Sequence, residues 1–228
     1  SRAKTRIVHI SEGFDFLEPA LAYATGSWSF ASLTGDGLTA LQRAAGRDGT
    51  QIVPDLAVTL PTPQDGGRTY RFVLRPGIHY SNGAVVRARD VRASFERLWK
   101  IPRFQKATSP GRWMFERIVG AARCTRAPRS CDLSRGIVTE PGNDSIVTFH
   151  LTRADPAFLN KLSLDFGFIL PAGTPPVPAD IRRLPTTGPY VVAAYRPKHR
   201  LVLTRNPHFR EWSQAAQPDG YPDRIELR

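Results

Sequence analysis

TYRFVLRPGIHYSNGAVVRARDVRASFERL, running from Thr69 to Leu98, is the stretch whose reading decides the fold. Its opening, Thr69–Arg75, alternates as a strand does, and Pro76–Gly77 stops it. Ser81-Asn82-Gly83 then makes a tight turn. From Ala88 to Trp99 the apolar residues Val91, Phe95 and Leu98 fall four and three apart, which turns one helical face inward. Asp90 sits early in that helix, where a negative charge suits the positive end of the dipole.

Outward from this stretch, strands and helices alternate without regular strand–helix–strand spacing. Upstream, Thr5–Ile10 reads as a half-buried strand, and residues 20–45 read as helix or turn followed by a second helix, interrupted by Gly26 and Gly35-Asp36-Gly37. Gln51–Ala57 is halted by Pro54, and residues 58–80 read as a hairpin turning through Pro61–Gly67. Downstream, Gly136–Leu151 reads as a second hairpin and Ala157–Leu164 as a short helix. A proline-rich loop, 171–189, precedes strands at Tyr190–Tyr195, Arg200–Arg205 and Arg224–Leu227. The expected fold class is α+β, a mixed β-sheet domain with flanking helices and hairpins, not a doubly wound fold.

Apolar residues make up 41% of the 228, and charged residues 23%, the balance of a folded globular protein. No stretch approaches the roughly 18 apolar residues of a membrane span. The first ten residues, SRAKTRIVHI, lack the apolar core of a secretory signal, so any export segment is expected to lie outside them. The net charge of +12 raises the question of nucleic acid. Arginine supplies 27 of the 32 basic residues, but they are scattered as singles and pairs such as Arg182 and Arg183, so a generally basic surface is expected rather than a phosphate-binding face.

Cys124 and Cys131 are the chain's two cysteines, seven apart in a Pro- and Ser-containing loop. The spacing fits a loop-closing disulfide, with two separate thiols as the alternative. A metal site would need further ligands, and His150, His199 and His208 lie in unrelated contexts. A disulfide implies an oxidising compartment.

No Gly-x-Ser-x-Gly elbow, His-Glu-x-x-His or phosphate-cradling glycine loop is present, so neither catalysis nor a cofactor is expected. Asp15 and Glu18 form a close carboxylate pair, read as solvated or capping groups rather than an acid–base couple.

Several segments, in order, resemble the extracellular solute-binding proteins of the peptide, dipeptide and nickel type, family 5. They are Leu17–Ala22, Ile52–Ala57, Thr69–Ile78, Tyr80–Leu98, Thr187–Tyr190 and Leu203–Phe209. The resemblance covers nearly all of the chain, but the family is much longer, its second lobe beginning about where Tyr221–Arg228 ends this sequence. It therefore implies that residues 1–228 are the first lobe of a type II, peptide-binding-class periplasmic-binding-protein-like fold, with the second lobe absent.

What the resemblance implies functionally is capture of a peptide-like solute between two lobes for delivery to an ABC permease in the membrane. The protein would be an extracytoplasmic monomer, periplasmic or on the cell surface, including by a lipid anchor. A solute-sensing lobe fused to a signalling or transcriptional regulator is the alternative. In the family the loop after the Leu-Glu-Pro element faces the ligand, which makes Tyr23, Thr25 and Trp28 candidate contacts, unless Tyr23 and Trp28 pack on the neighbouring helix. Trp113 is a further ligand candidate from the same resemblance, with a core position as its alternative. Phe166 and Phe168 are read as core in preference to a cleft-lining strand. Gly83, Gly188, Pro189, Asn206 and Pro207 are expected to shape turns and strand ends rather than touch ligand.

Overall fold

In chain order the strands are β1 (Thr5–Val8), β2 (Thr39–Leu41), β3 (Ile52–Pro54), β4 (Thr69–Val73), β5 (Ile137–Glu140), β6 (Asn143–His150), β7 (Tyr190–Arg196), β8 (Arg200–Arg205) and β9 (Arg224–Leu227). The helices are α1 (Thr25–Thr34), α2 (Ala88–Lys100), α3 (Gly111–Met114), α4 (Ala121–Arg126) and α5 (Phe158–Leu162). The computed structural model describes residues 4–8, 17–102, 108–176, 180–196, 199–217, 220 and 222–227. Ile10 and Asp15 lie outside them.

The larger core is built where the alternation of β4 meets the apolar stripe of α2. β4, β6 and β5 form an antiparallel sheet in that order, with Tyr70 opposite Phe149 and Phe72 opposite Val147. Their buried side chains meet Val91, Phe95 and Leu98, all at most 1% exposed. Phe149 stands among Phe72, Phe95 and Phe158 at ring-centroid distances of 5.8, 5.3 and 5.4 Å, all edge-to-face. Each such contact adds about 1 kcal/mol beyond area burial.

A smaller core lies under the four-stranded sheet, ordered β1-β9-β8-β7, in which only β1 and β9 run parallel, while β2 and β3 form a separate two-stranded sheet. Phe30 of α1 packs there with Leu17, Tyr190, Leu201 and Leu203. The mixed sheets with helices agree with the α+β expectation.

Two local expectations need correction. The second helix within residues 20–45 is instead strand β2 followed by a 3₁₀ turn at Gly46–Thr50. The Gly35-Asp36-Gly37 turn presses so close to α5 that a Cβ at Gly37 would lie 2.8 Å from the Leu162 carbonyl oxygen. Next to it, the Thr39 hydroxyl donates to the Leu159 carbonyl at 2.9 Å. These contacts draw the chain out extended, and tertiary packing overrides helical spacing.

The expected hairpin over 58–80 exists only as isolated bridges, Ala57 to Leu74 and Gln64 to Thr69. β4 finds its regular partner in β6, because that pairing puts both aromatic faces into one core. Phe166 and Phe168 belong to no strand: Asp165–Gly167 is a 3₁₀ turn, Phe166 is core, and Phe168 lies against Gly35.

Two buried carboxylates knit the loops that link the sheets. Asp36 accepts hydrogen bonds from Thr187 Oγ1 at 2.6 Å and Gln217 Nε2 at 3.1 Å. Asp55 accepts from Trp212 Nε1 at 3.0 Å. Burial pushes the Asp36 carboxyl up from 3.8 to about 6, against the pull of its two hydrogen bonds. Burial, then the Asp36 charge, push Asp55 well above the usual range, and the Trp212 hydrogen bond and Arg75 offset only part of this.

Carboxyls whose pKa values rise on folding favour the folded state while protonated, and that contribution is lost as pH rises through the folded value. The chain should therefore unfold at a higher temperature at pH 5 than at pH 8, all else equal. Asp36→Asn, which keeps a neutral side chain of the same shape, should flatten that slope in calorimetry, and an unchanged slope would refute the assignment.

Candidate functional site

A polar stripe beside the apolar one organises the surface at the C-terminal end of α2. Asp90, Ser94 and Arg97 recur at helical spacing and are all buried. Asp90 accepts hydrogen bonds from the Arg87 amide at 2.9 Å and the Tyr80 hydroxyl at 3.2 Å through one oxygen. Its other oxygen accepts from the Ala172 amide at 3.0 Å. Burial and the neighbouring carboxylate push the Tyr80 phenol well up, so it stays a donor. Ser94 Oγ accepts from the Leu170 amide at 2.9 Å.

Arg97 completes the stripe. Its guanidinium donates to both Glu18 oxygens at 2.7 and 2.8 Å. It also donates to the carbonyls of Pro175 at 2.9 Å and Pro176 at 3.0 Å. Proline-rich chain has few amides with which to satisfy neighbouring carbonyls, so the arginine fork supplies the missing donors.

Glu18 is thus a buried ion-pair partner rather than the solvated group weighed from sequence, and its Oε1 also caps the local turn by accepting from the Ala20 amide at 3.2 Å. It anchors residues 17–22 between the two cores, with Leu17 in the smaller and Ala20 and Leu21 in the larger. That anchored segment leads directly into Tyr23 and α1.

On the next turn of α2, Arg112 caps the helix by donating to the carbonyls of Leu98 at 3.2 Å, Trp99 at 2.8 Å and Ile101 at 2.8 Å. These carbonyls have no intrahelical partner, and the cation also suits the negative helix end. Gly111 lets α3 approach, since a Cβ there would stand 2.8 Å from Leu98 Cδ1. Trp113 is thereby tethered beside the same end of α2 as the Glu18 segment.

Tyr23, Trp28 and Trp113 are the aromatic side chains left exposed among the described residues, at 57%, 38% and 55%. Trp113 does not take the core position weighed as its alternative. The Tyr23 and Trp28 rings stack edge-to-face with centroids 6.1 Å apart, and Trp28 Nε1 donates to the Ala22 carbonyl at 3.3 Å. Thr25 is exposed at the first position of α1. Exposed aromatics on rigid supports offer flat apolar area at low entropic cost, as solute sites use it.

Other features have structural employment. Cys124 and Cys131 are joined in a disulfide. Among the described residues no group of three His, Cys, Asp or Glu is placed to hold a metal, and no helix is long and apolar enough to cross a membrane. Gly83 takes a positive φ of 83° at its turn, and the Asn206 amide side chain donates to the Gly188 carbonyl at 2.9 Å. Sequence reading missed the Asp90-Ser94-Arg97 stripe, although its spacing was visible beside Val91-Phe95-Leu98.

Glu18→Gln leaves the Arg97 charge buried without a counter-ion and should cost about 3–5 kcal/mol in denaturant unfolding. The paired change Glu18→Gln/Arg97→Met should recover much of that loss, whereas simple additivity would mean that the pair is not coupled.

By sequence, residues 51–228 match the family model for bacterial extracellular solute-binding proteins, family 5 Middle. No curated protein matches the chain by sequence. Among solved structures, the chain is similar to clavulanic acid biosynthesis oligopeptide binding protein 2, with a TM-score of 0.82 and 27% identity over 100% of this chain and 40% of that one. It shares its fold with the Escherichia coli murein tripeptide binding protein MppA, at a TM-score of 0.75 and 19% identity over 100% and 42% of the two chains. It likewise shares the fold of Listeria monocytogenes OppA bound to peptide, at 0.76 and 17% over 100% and 43%. The chain spans about two fifths of the length of these structures.

Proposed function

Because the chain belongs to the bacterial extracellular solute-binding proteins of family 5, we propose that it is the first lobe of a receptor that captures a peptide-like solute and delivers it to an ABC permease. The observation that carries this reading is the family match over residues 51–228, and the exposure of Tyr23, Trp28 and Trp113 supports it. Names of similar structures support the ligand class, since they include oligopeptide and murein tripeptide binding proteins.

In this reading Tyr23, Thr25, Trp28 and Trp113 form one wall of a cleft. A second lobe, outside residues 1–228, supplies the opposite wall and the charged groups that read the ends of the solute. Ligand touching both walls stabilises the closed arrangement, and no covalent chemistry is needed. Such a receptor works outside the cytoplasm, where the Cys124–Cys131 disulfide is stable. It acts as a monomer, and nucleic acid has no part in its work.

The test is thermal. A two-lobed receptor should gain about 2.7 kcal/mol at a peptide concentration of 100 times Kd. Residues 1–228 alone should gain almost nothing from the same peptides. In the two-lobed protein, Trp28→Ala and Trp113→Ala should each weaken binding about tenfold or more, as truncated aromatic anchors do. Full affinity in the single lobe would sink the two-wall reading, and no response of either protein to any oligopeptide would sink the ligand class.

A further inference from the structure

The turn that follows α3 carries four exposed arginines close together in sequence. Arg123 and Arg126 lie three apart on α4, which brings them to neighbouring positions on one exposed face. Arg129 follows in the 3₁₀ turn Pro128–Ser130, and Arg135 lies just past Cys131; both are exposed. None of the four makes a close ion pair with a described acid, whereas Arg71, Arg87, Arg117 and Arg200 each do. Asp132 is the acid nearest at hand. Hydrogen bonds from Ser134 hold its carboxyl below the usual range, and Arg92 and Arg123 add to this.

The group is rigidly mounted. The Cys124–Cys131 disulfide closes the turn, with both cysteines buried in the larger core. Trp99 Nε1 donates to Thr125 Oγ1 at 3.0 Å, and the Leu133 amide donates to Glu96 Oε1 at 3.0 Å. These bonds pin both ends of the turn to α2 from within and leave the arginines outward.

We propose that this disulfide-braced turn, carrying Arg123, Arg126, Arg129 and Arg135, docks the protein on an anionic phospholipid surface. Two properties select that occupant. The turn from Arg117 to Gly136 holds none of the chain's large exposed hydrophobic side chains among the described residues, so it lacks the apolar anchors on which a protein interface depends. An anionic lipid surface asks only for clustered positive charge, and the guanidinium fork fits phosphate oxygens. The inference does not depend on the identity of the solute.

The test is co-sedimentation of the full chain with phosphatidylglycerol–phosphatidylcholine vesicles, compared with phosphatidylcholine alone. Three variants are compared with the parent chain. Arg123→Gln/Arg126→Gln/Arg129→Gln should lose about a hundredfold in partitioning, since each basic side chain near an anionic surface contributes about fivefold. Arg123→Lys/Arg126→Lys/Arg129→Lys should retain most of it. Arg47→Gln/Arg196→Gln/Arg210→Gln, an equal loss of charge at exposed positions elsewhere, should change it little. Binding of the parent should also fall steeply with added salt. Equal losses in both glutamine variants would assign the effect to overall charge and overturn the proposal. So would binding to poly-glutamate or duplex DNA in preference to anionic vesicles, or no vesicle binding at low salt.

Discussion

The Arg97 guanidinium is the joint on which the candidate site depends. It is buried, and it spends four hydrogen bonds on two separate pieces of chain, Glu18 and Pro175–Pro176, packed around its own helix. Taking such a charge out of water costs several kcal/mol, so the arrangement is a poor source of net stability. Its effect is positional. The segment entering Tyr23 and the start of the proline-rich loop can each hold only one place relative to α2 while the fork is satisfied. Ser94 and Asp90 repeat the principle one and two turns earlier, fixing Leu170 and Ala172 respectively through their backbone amides.

The same economy of buried polar groups appears where the sheets are joined. Asp36 and Asp55 draw Thr187, Trp212 and Gln217 to a single point, although these residues lie more than 130 positions from their partners. Asp55 has Arg75 as a cationic neighbour, and both carboxyls keep their protons more readily than exposed acids. Apolar packing sets the two cores, while hydrogen-bonded acids and one arginine set how the loops between them lie. Both cores meet at residues 17–21, and the Glu18 pair lies between them.

The residues proposed for the wall were named before the structure. Tyr23, Thr25, Trp28 and Trp113 came from resemblance and from residue type, and all four are exposed. What supports them was not legible as a site. Arg112 reads in the sequence as one of many surface arginines, yet it caps α2 and so holds the helix that bears Trp113. Glu18 reads as half of a solvated pair, yet its partner stands 79 residues away. Charged side chains look alike in sequence whether they meet water or a buried counter-ion, because only the contacts made across the fold decide which.

By itself the sequence determined the β4 strand, the α2 helix, the β5–β6 hairpin and the strands of the closing sheet, since each is written in a local period of two or three to four residues. It determined the two cysteines' spacing as well. Tertiary structure alone decided that Thr39–Leu41 is a strand rather than a helix, and that β4 pairs with β6 rather than with the residues just before it. It alone decided that Trp113 stays at the surface. The reason is common to all three. Local spacing fixes which face of a segment is apolar, but which neighbour covers that face depends on pieces of chain tens to hundreds of residues away, and on the buried polar groups that bring them together.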